Sequence, residues 1–545
     1  MIGEAAHLLL ALVGPARLHD GVAWITVACG LAACGPAGLR WLRVAQREHY
    51  LAGSVSRFAG RWWVSSPGNK GLAVLAVVAA MVSVGWPPVG VVTAGVVAFG
   101  PLGLTVRGRT APLVWTRRLR TLAAVSAALV ILVMVAGLVS GLASPAAVVA
   151  ALIVPALVDL ACAVTAPIEH RLSEPFVEAA AARLQRVDPC VVAVTGSYGK
   201  TSTKSHIAHL LRPGRTVVAT PASFNNRVGL ARAVNEHLAE GTEVFVAEMG
   251  TYGAGEIADL CRWCPPDIAV ITAIGPVHLE RFGTEERIVE AKSEIIDRAA
   301  TVVLQVDDKR LAVLADRAAA DGKRVLRCSA VDPAADVCVE RSPDGTRLSV
   351  HTVGRRLADG VRVPSGLQPT NLACAIAVAL ALGVERGELV ARLGHLPAVE
   401  HRLEAVRAPT GVTILDDTYN ANPAGAAEAL AMLDRAPADR APDGSPERPA
   451  GRRRVVVTPG MVELGRRQAE ENRRLAAACA GVATDLLVVG RTNRRALMTG
   501  AASVPGSPLR VRRVGRRDQA VAWVRQSLGS GDAVLYENDL PDHYP

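Results

Sequence analysis

The sequence predicts a helical membrane region followed by α/β structure: a parallel-sheet domain and then a smaller Rossmann-like domain. Three observations carry this. Apolar stretches dominate up to residue 167 and thin out afterwards. From Val191 to about residue 330, and again after His401, strand-like apolar runs alternate with helical patterns. That alternation is the signature of parallel sheets covered by helices on both faces. Residues 195–203, Thr-Gly-Ser-Tyr-Gly-Lys-Thr-Ser-Thr, directly follow the apolar run 191–194. A strand, a glycine-rich turn and a helix start fit that stretch.

The N-terminal region, 1–167, holds four long apolar stretches: 21–39, 71–106, 122–138 and 143–167. The second is long enough for a hairpin of two spans turning at Trp86-Pro87-Pro88. A crossing takes roughly 20 apolar residues, so about five crossings fit. Segment 40–70 carries Arg40, Arg43, Arg47, Arg57, Arg61 and Lys70, and segment 107–120 carries Arg107, Arg109, Arg117, Arg118 and Arg120. The turns at 85–88 and 139–143 carry no charge. The excess of basic residues places both basic segments in the cytoplasm. The region after Arg171 falls on that same side and the N-terminus outside. The expected location is thus the plasma membrane, multi-pass, with the α/β domains cytoplasmic. Residues 8–13 form only a short apolar core with no basic residue before it, which argues against a cleaved signal.

The net charge of +10 in 545 residues sits largely in these basic loops, where anionic lipid headgroups neutralise it. Membrane lipids are therefore expected partners. Aromatic residues make up 4% of the chain, too few for a base-stacking surface, and no nucleic-acid partner is expected. Most of the ten cysteines are isolated, and Cys261 and Cys264 form a lone C-x-x-C with no second pair at metal-binding spacing. A structural role is expected for them, and no disulfide framework.

After a linker at 168–188, the first α/β domain spans 189–400. Its strands are placed at 191–194, 217–220, 244–248, 268–273 and 302–306, with helices at 200–211, 229–238, 255–264 and 285–299. Short strands and turns fill 331–365, and helices follow at 370–382 and 386–396. The second domain, 401–545, has strands at 412–415, 454–458, 485–489, 509–513 and 533–536, interrupted by a Pro/Arg/Asp-rich insertion at 436–453.

The glycine-rich turn is a phosphate cradle, which makes the first domain a P-loop ATPase domain. Gly196 and Gly199 let the backbone N–H groups around Ser197 close on anionic oxygens, Lys200 reaches the terminal phosphates, and the Thr201 hydroxyl holds Mg²⁺ as Ser202 continues the helix start. ATP and Mg²⁺ are the expected ligands. The turn is shorter than the usual G-x-x-x-x-G-K-[ST]. Glu248 ends the third strand and His278 follows the fourth. In a doubly wound sheet the carboxyl ends of strands share one crevice, so Thr201, Glu248 and His278 are expected at one metal and phosphate. A carboxylate suits Mg²⁺, which prefers oxygen ligands. The plain alternatives are a surface carboxylate and a hydrogen-bonded loop histidine.

The ordered blocks TGSYGKTSTK (195–204), FNNRVG (224–229), AEMGTYGAGEI (247–257), GPVHLERFG (275–283), EAKSEI (290–295), NLACAIAVALALGV (371–384), HRLE (401–404), DDTYNANP (416–423) and MVELG (461–465) resemble the Mur ligases, most closely the MurF branch. These are ATP-dependent, amide-forming enzymes of cell-wall synthesis. The likeness covers roughly residues 189–540. It implies that Lys200 and Thr201 bind the β/γ-phosphates and Mg²⁺, with Glu248 and His278 helping to hold metal. Lys292 matches the family lysine that becomes carbamylated beside a second Mg²⁺. Lys200, His278 and Lys292 would form the catalytic set. Asn371 matches the adenine-contacting asparagine. Arg402 and Asp417 match residues near the ribose and phosphates, with Tyr419 and Asn420 beside them. Asn225 and Asn226 are expected to meet substrate. The chain has only six lysines, yet keeps one at 292, where a guanidinium could not become a neutral amine and take up CO₂.

The implied reaction activates a carboxylate as an acyl phosphate and joins it to an amine of an amino acid or dipeptide, on an envelope precursor that is UDP-linked or lipid-linked. The resemblance stops at both ends. Family members hold the UDP end of their substrate with an N-terminal domain, where this chain has apolar stretches. The family's closing Lys-Gly-Ser-Arg block reads Tyr536-Glu537-Asn538-Asp539 here. Alternatives are a ligase of the poly-γ-glutamate capsule type and a non-catalytic nucleotide-binding membrane scaffold.

Overall fold

The computed structural model describes residues 21–108, 112–221, 224–342, 345–363, 366–397, 403–418, 422–436, 452–540 and 543–545. The chain divides into two compact units, Met1–Leu172 with Leu540–Pro545, and Ser173–Asp539.

The first unit is helical: α1 (Gly21–Arg47), α2 (Ser54–Val64), α3 (Pro67–Gly85), α4 (Gly90–Phe99), α5 (Arg117–Val139), α6 (Ala143–Leu152) and the start of α7 (Val154–Val187). Among the described residues three helices are long and apolar enough to cross a membrane, or four if the bent pair α6 and α7 counts as one. About five were expected. The second arm of the predicted hairpin, α4, has only ten residues, about 15 Å of rise against a hydrocarbon core of about 30 Å. Pro87 and Pro88 start it late and Gly100-Pro101 ends it early. The stretch 143–167 is not one helix, because α6 and α7 meet at 72°.

Polarity in this unit is reversed relative to a water-soluble bundle. Met81 is 68% and Leu132 64% exposed, while Asn69, Ser83, Thr93 and Ser126 are buried. Several of these polar groups bond backbone carbonyls, as Thr93 Oγ1 does to Ala76 O at 2.9 Å. Arg40 donates to Val97 O and Ala98 O, both at 2.7 Å, capping the end of α4. Asp159 accepts from Val55 N and Ser56 N at the start of α2. The 540–545 segment belongs here too: Trp62 Nε1 donates to His543 O at 2.7 Å, and His543 Nε2 lies 3.0 Å from Glu48 Oε1.

The second unit contains both α/β domains. The 168–188 stretch, expected as a linker, continues α7 to Val187. A nine-stranded sheet follows, with β1 (Cys190–Thr195), β2 (Val217–Ala219), β3 (Val244–Glu248), β4 (Ile268–Ile271), β5 (Thr301–Gln305), β6 (Arg324–Ser329), β7 (Val337–Arg341), β8 (Arg347–Thr352) and β9 (Arg355–Arg362) in the order β2-β3-β1-β4-β5-β6-β7-β8-β9. Pairing is parallel through β7 and antiparallel from β7 to β9. The central strands β1 and β3 are almost wholly buried, because helices cover both faces.

The helices that position the site are α8 (Lys200–Leu211), α9 (Arg227–His237), α10 (Glu256–Trp263), α11 (Leu279–Phe282), α12 (Glu285–Ser293), α13 (Lys309–Ala320) and α14 (Pro369–Ala381). The second sheet has strands β10 (Glu404–Arg407), β11 (Thr413–Asp417), β12 (Arg454–Thr458), β13 (Asp485–Val489), β14 (Arg510–Val514) and β15 (Ala533–Glu537), ordered β10-β11-β15-β12-β13-β14. Only β10 is antiparallel to its neighbour. Its last strand therefore sits in the middle, with β11 and β12 on either side. The predicted insertion lies almost wholly outside the described residues.

Candidate active site

The β1–α8 turn brings the phosphate loop to the carboxyl edge of the large sheet. Gly196 has φ 152° and Gly199 φ 77°, the left-handed half of backbone space that side chains disfavour. A Cβ at Gly196 would overlap Thr272, and one at Gly199 would overlap the Asn371 carboxamide. The loop is held from beside it: Gly275 N donates to Ser197 Oγ at 3.0 Å, and Ser197 Oγ donates to Gly275 O at 3.1 Å. Lys200 Nζ folds back to Gly196 O at 2.8 Å. Thr201 and Ser202 lie in the first turn of α8, where free backbone N–H groups and the helix dipole favour an anion.

Glu248, at the end of β3, is the centre of the polar network. Its Oε2 accepts from Thr201 Oγ1 at 3.0 Å and lies 3.0 Å from Lys204 Nζ. Its Oε1 accepts from Asn225 Nδ2 at 3.1 Å. Burial alone would raise the Glu248 pKa, but the Lys204 and Lys200 charges and the hydrogen bonds from Lys204 and Asn225 outweigh it, and the carboxyl is held below its ordinary range. Lys204, the last residue of the TGSYGKTSTK block, completes this network. Its signal was available: it is one of the six lysines, one turn beyond Lys200.

The other expected residues divide. Lys292, in the last turn of α12, is 3% exposed. Burial, and then the charge of Lys200, push its pKa well down, so the neutral amine is favoured. Asn371, in the first turn of α14, lies against Gly199 of the phosphate loop. Asn226 does not reach the Glu248 network. Its Oδ1 accepts from Gly229 N at 2.9 Å and caps α9. His278 turns to the second domain, where its Nδ1 is bonded to Glu463. Burial lowers its pKa and the Glu463 contact offsets only part of that. Asp417, at the end of β11, pairs in register with Glu537 of β15. Arg402, Tyr419 and Asn420 lie outside the described residues.

Thr201 and Glu248 thus meet, and the charge of Lys200 acts on Glu248, His278 and Lys292 alike. Among the described residues no group of three His, Cys, Asp or Glu side chains could hold a metal. The two oxygen groups that do meet suit Mg²⁺, whose remaining positions are commonly filled by water and phosphate oxygens.

A family model for the Mur ligase middle domain matches residues 194–379, and one for the Mur ligase glutamate ligase domain matches 401–536. The chain belongs to the Mur ligase family. It is an ATP-dependent ligase, and ATP and Mg²⁺ are the ligands that Mur ligases use. It is similar to the UDP-N-acetylmuramoyl-tripeptide–D-alanyl-D-alanine ligase of Mycobacterium tuberculosis, 32% identical over 381 residues that cover 66% of this chain and 72% of that one. The ligase of the same name from Bacillus subtilis is 31% identical over 257 residues, 47% of this chain and 55% of the relative. Among solved structures, MurF ligase from Thermotoga maritima in complex with ADP has a TM-score of 0.54 at 28% identity, covering 67% of this chain and 80% of that chain. MurF from Acinetobacter baumannii, at 24% identity and TM-score 0.56 over 67% of this chain and 77% of that one, shows the same fold. The Mur ligase core thus accounts for the second unit, and the apolar helices lie outside both family matches.

Proposed function

We propose that this Mur ligase is membrane-anchored and MurF-like, and that it joins a carboxylate of a peptidoglycan or related envelope precursor to the amine of an amino acid or dipeptide. The observation that carries the chemistry is the phosphate loop with Thr201 and Glu248 in contact at the sheet edge. Lys200 and the N-terminal turn of α8 bind the phosphates of ATP. Thr201 and Glu248 would hold Mg²⁺, which supplies charge neutralisation at the phosphate oxygens. The substrate carboxylate oxygen attacks the γ-phosphorus and ADP leaves. The amine nitrogen then attacks the acyl carbon, phosphate leaves, and the nitrogen gives up a proton. Lys292, buried and disposed to be neutral, is suited to react with CO₂ and so present a carbamate beside Lys200.

The reversed polarity of the helical unit supports the membrane anchor, since exposed Met81 and Leu132 would be costly in water over so wide a face. The basic segments 40–70 and 107–120, set against the uncharged turns at 85–88 and 139–143, favour the cytoplasmic side for the ligase domains. An anchored ligase favours a lipid-linked precursor over a freely diffusing one. The test uses the full chain in lipid nanodiscs, with UDP-linked and lipid-linked muramyl peptides offered side by side with amino acids and D-alanyl-D-alanine. ADP release that requires both a carboxylate and an amine, and is abolished in Lys200→Ala, is the expected result. Tight ATP binding with no turnover on any pair would instead favour the scaffold reading.

A further inference from the structure

His278 was expected at the metal, and the structure shows a partner for it in the other α/β domain. Its Nδ1 is bonded to Glu463 Oε2, which comes from the other α/β domain. Several contacts converge on the same point. Glu280 N donates to Glu463 O at 3.3 Å, and Arg281 Nη2 lies 3.8 Å from Glu463 Oε1. The Tyr252 ring meets the His278 ring edge-on at 5.0 Å, and the Arg281 guanidinium stacks over Tyr252 at 4.5 Å. Gly465 packs so closely on the backbone of Leu279 and Glu280 that a Cβ there would come within 3.1 Å of Glu280 N. His278 and Glu463 themselves both have left-handed backbones, φ 62° and 64°. Non-glycine residues adopt that region only when their surroundings hold them there.

The loop that carries His278 is also the loop clasped to the phosphate loop, through Ser197 and Gly275. A carboxylate on Nδ1 fixes the imidazole as the Nδ1–H tautomer and leaves the Nε2 lone pair free. The partner that fixes it lies in the second domain, so this state of the ring exists only when the two domains are in contact.

We propose that Glu463 is a positioning residue of the ligase reaction: from the C-terminal domain it sets the tautomer and orientation of His278 beside the phosphate loop, so that the histidine is configured only when the domains have closed. This extends the proposed function without depending on which precursor is used. A second bridge, Glu285 to Arg467, joins the same domains without touching His278, and it separates positioning from simple adhesion.

The test compares Glu463→Ala, Glu463→Asp and Arg467→Ala in the intact protein. The ¹⁵N-histidine spectrum of the wild type, with the His278 signal assigned from His278→Gln, is expected to show the Nδ1–H tautomer. Glu463→Ala is expected to convert it to a mixture, while Arg467→Ala leaves it unchanged. In turnover, Glu463→Ala should lower kcat about ten- to hundredfold and leave the KM for ATP within about twofold, with partial recovery in Glu463→Asp. An equal kcat loss in Arg467→Ala, an unchanged His278 spectrum in Glu463→Ala, or a loss confined to KM would overturn the proposal. If no acceptor is turned over by the wild type, the proposed substrates are wrong. The spectrum still decides the role of Glu463.

Discussion

Lys204 Nζ lies 3.0 Å from Glu248 Oε2, with both side chains almost fully buried. The ammonium therefore sits on the carboxylate that is best placed to receive a metal, one helical turn past the phosphate-loop lysine. A buried carboxylate needs such a partner, since an unpaired one would be costly to keep charged.

Replacing Lys204 by Met is expected to destabilise the second unit by about 3 kcal/mol, because it leaves Glu248 buried with one cation fewer. The pH dependence follows from the lowered Glu248 pKa. The stabilisation is present above the carboxyl's unfolded pKa and is lost as pH falls through its folded one. In Lys204→Met that loss should begin at higher pH. Urea melts across the acid range measure both effects, and a variant as stable as wild type at every pH would contradict the pairing.

Lys292 is expected to show opposed effects on stability and activity. Its folded pKa lies well below the unfolded value, so between the two the unfolded chain binds more protons and stability falls as pH is lowered. Lys292→Met removes that cost. Its Tm should rise at neutral pH while ligase activity is lost, whereas Lys292→Arg should lose both activity and stability. A thermal melt and an ADP-release assay on the same samples suffice.

Gly199→Ala should disable the phosphate loop. The added methyl meets Asn371, and φ 77° is unfavourable for alanine. A loss of about 1–3 kcal/mol is expected, together with weakened ADP binding by calorimetry. A variant that binds ADP normally would show that the loop tolerates a side chain.

Glu537 supplies a further pH test. It is 0% exposed, and among the described residues neither carboxyl oxygen has a hydrogen-bonding donor. Burial and then neighbouring Asp417 push its pKa well up, which favours the protonated form. A raised folded pKa gives stability that is complete below the unfolded pKa and lost as pH rises through the folded one. Glu537→Gln should therefore match wild type in mild acid and exceed it in Tm as the pH becomes alkaline. Parallel curves would mean that Glu537 is ionised in the fold.

The local signals were legible in the chain. The glycine-rich turn after residues 191–194, the alternation that became β1 to β5, and Lys200–Leu211 as a helix all follow from short-range pattern, and the structure places them as expected. The span count was less legible. Hydropathy over 71–106 and 143–167 does not record that prolines cut one helix to ten residues and that another bends by 72°. Asn226 illustrates the same limit at the site: an asparagine before a helix can serve as substrate contact or as cap, and the 2.9 Å bond to Gly229 N, which makes it the cap of α9, is visible only in the structure.

The sequence by itself determined the family, through its ordered blocks, and the phosphate loop, because a strand followed by a glycine-rich turn and a helix start encodes its own geometry. Tertiary structure alone decided the partners of the charged groups. Lys204 reaches Glu248 across 44 positions of sequence because β1 and β3 are adjacent in the sheet. His278 reaches Glu463 across 185 because two domains meet. Burial then selects among partners, since a charged or polar group removed from water must find its counterpart wherever the fold has placed one.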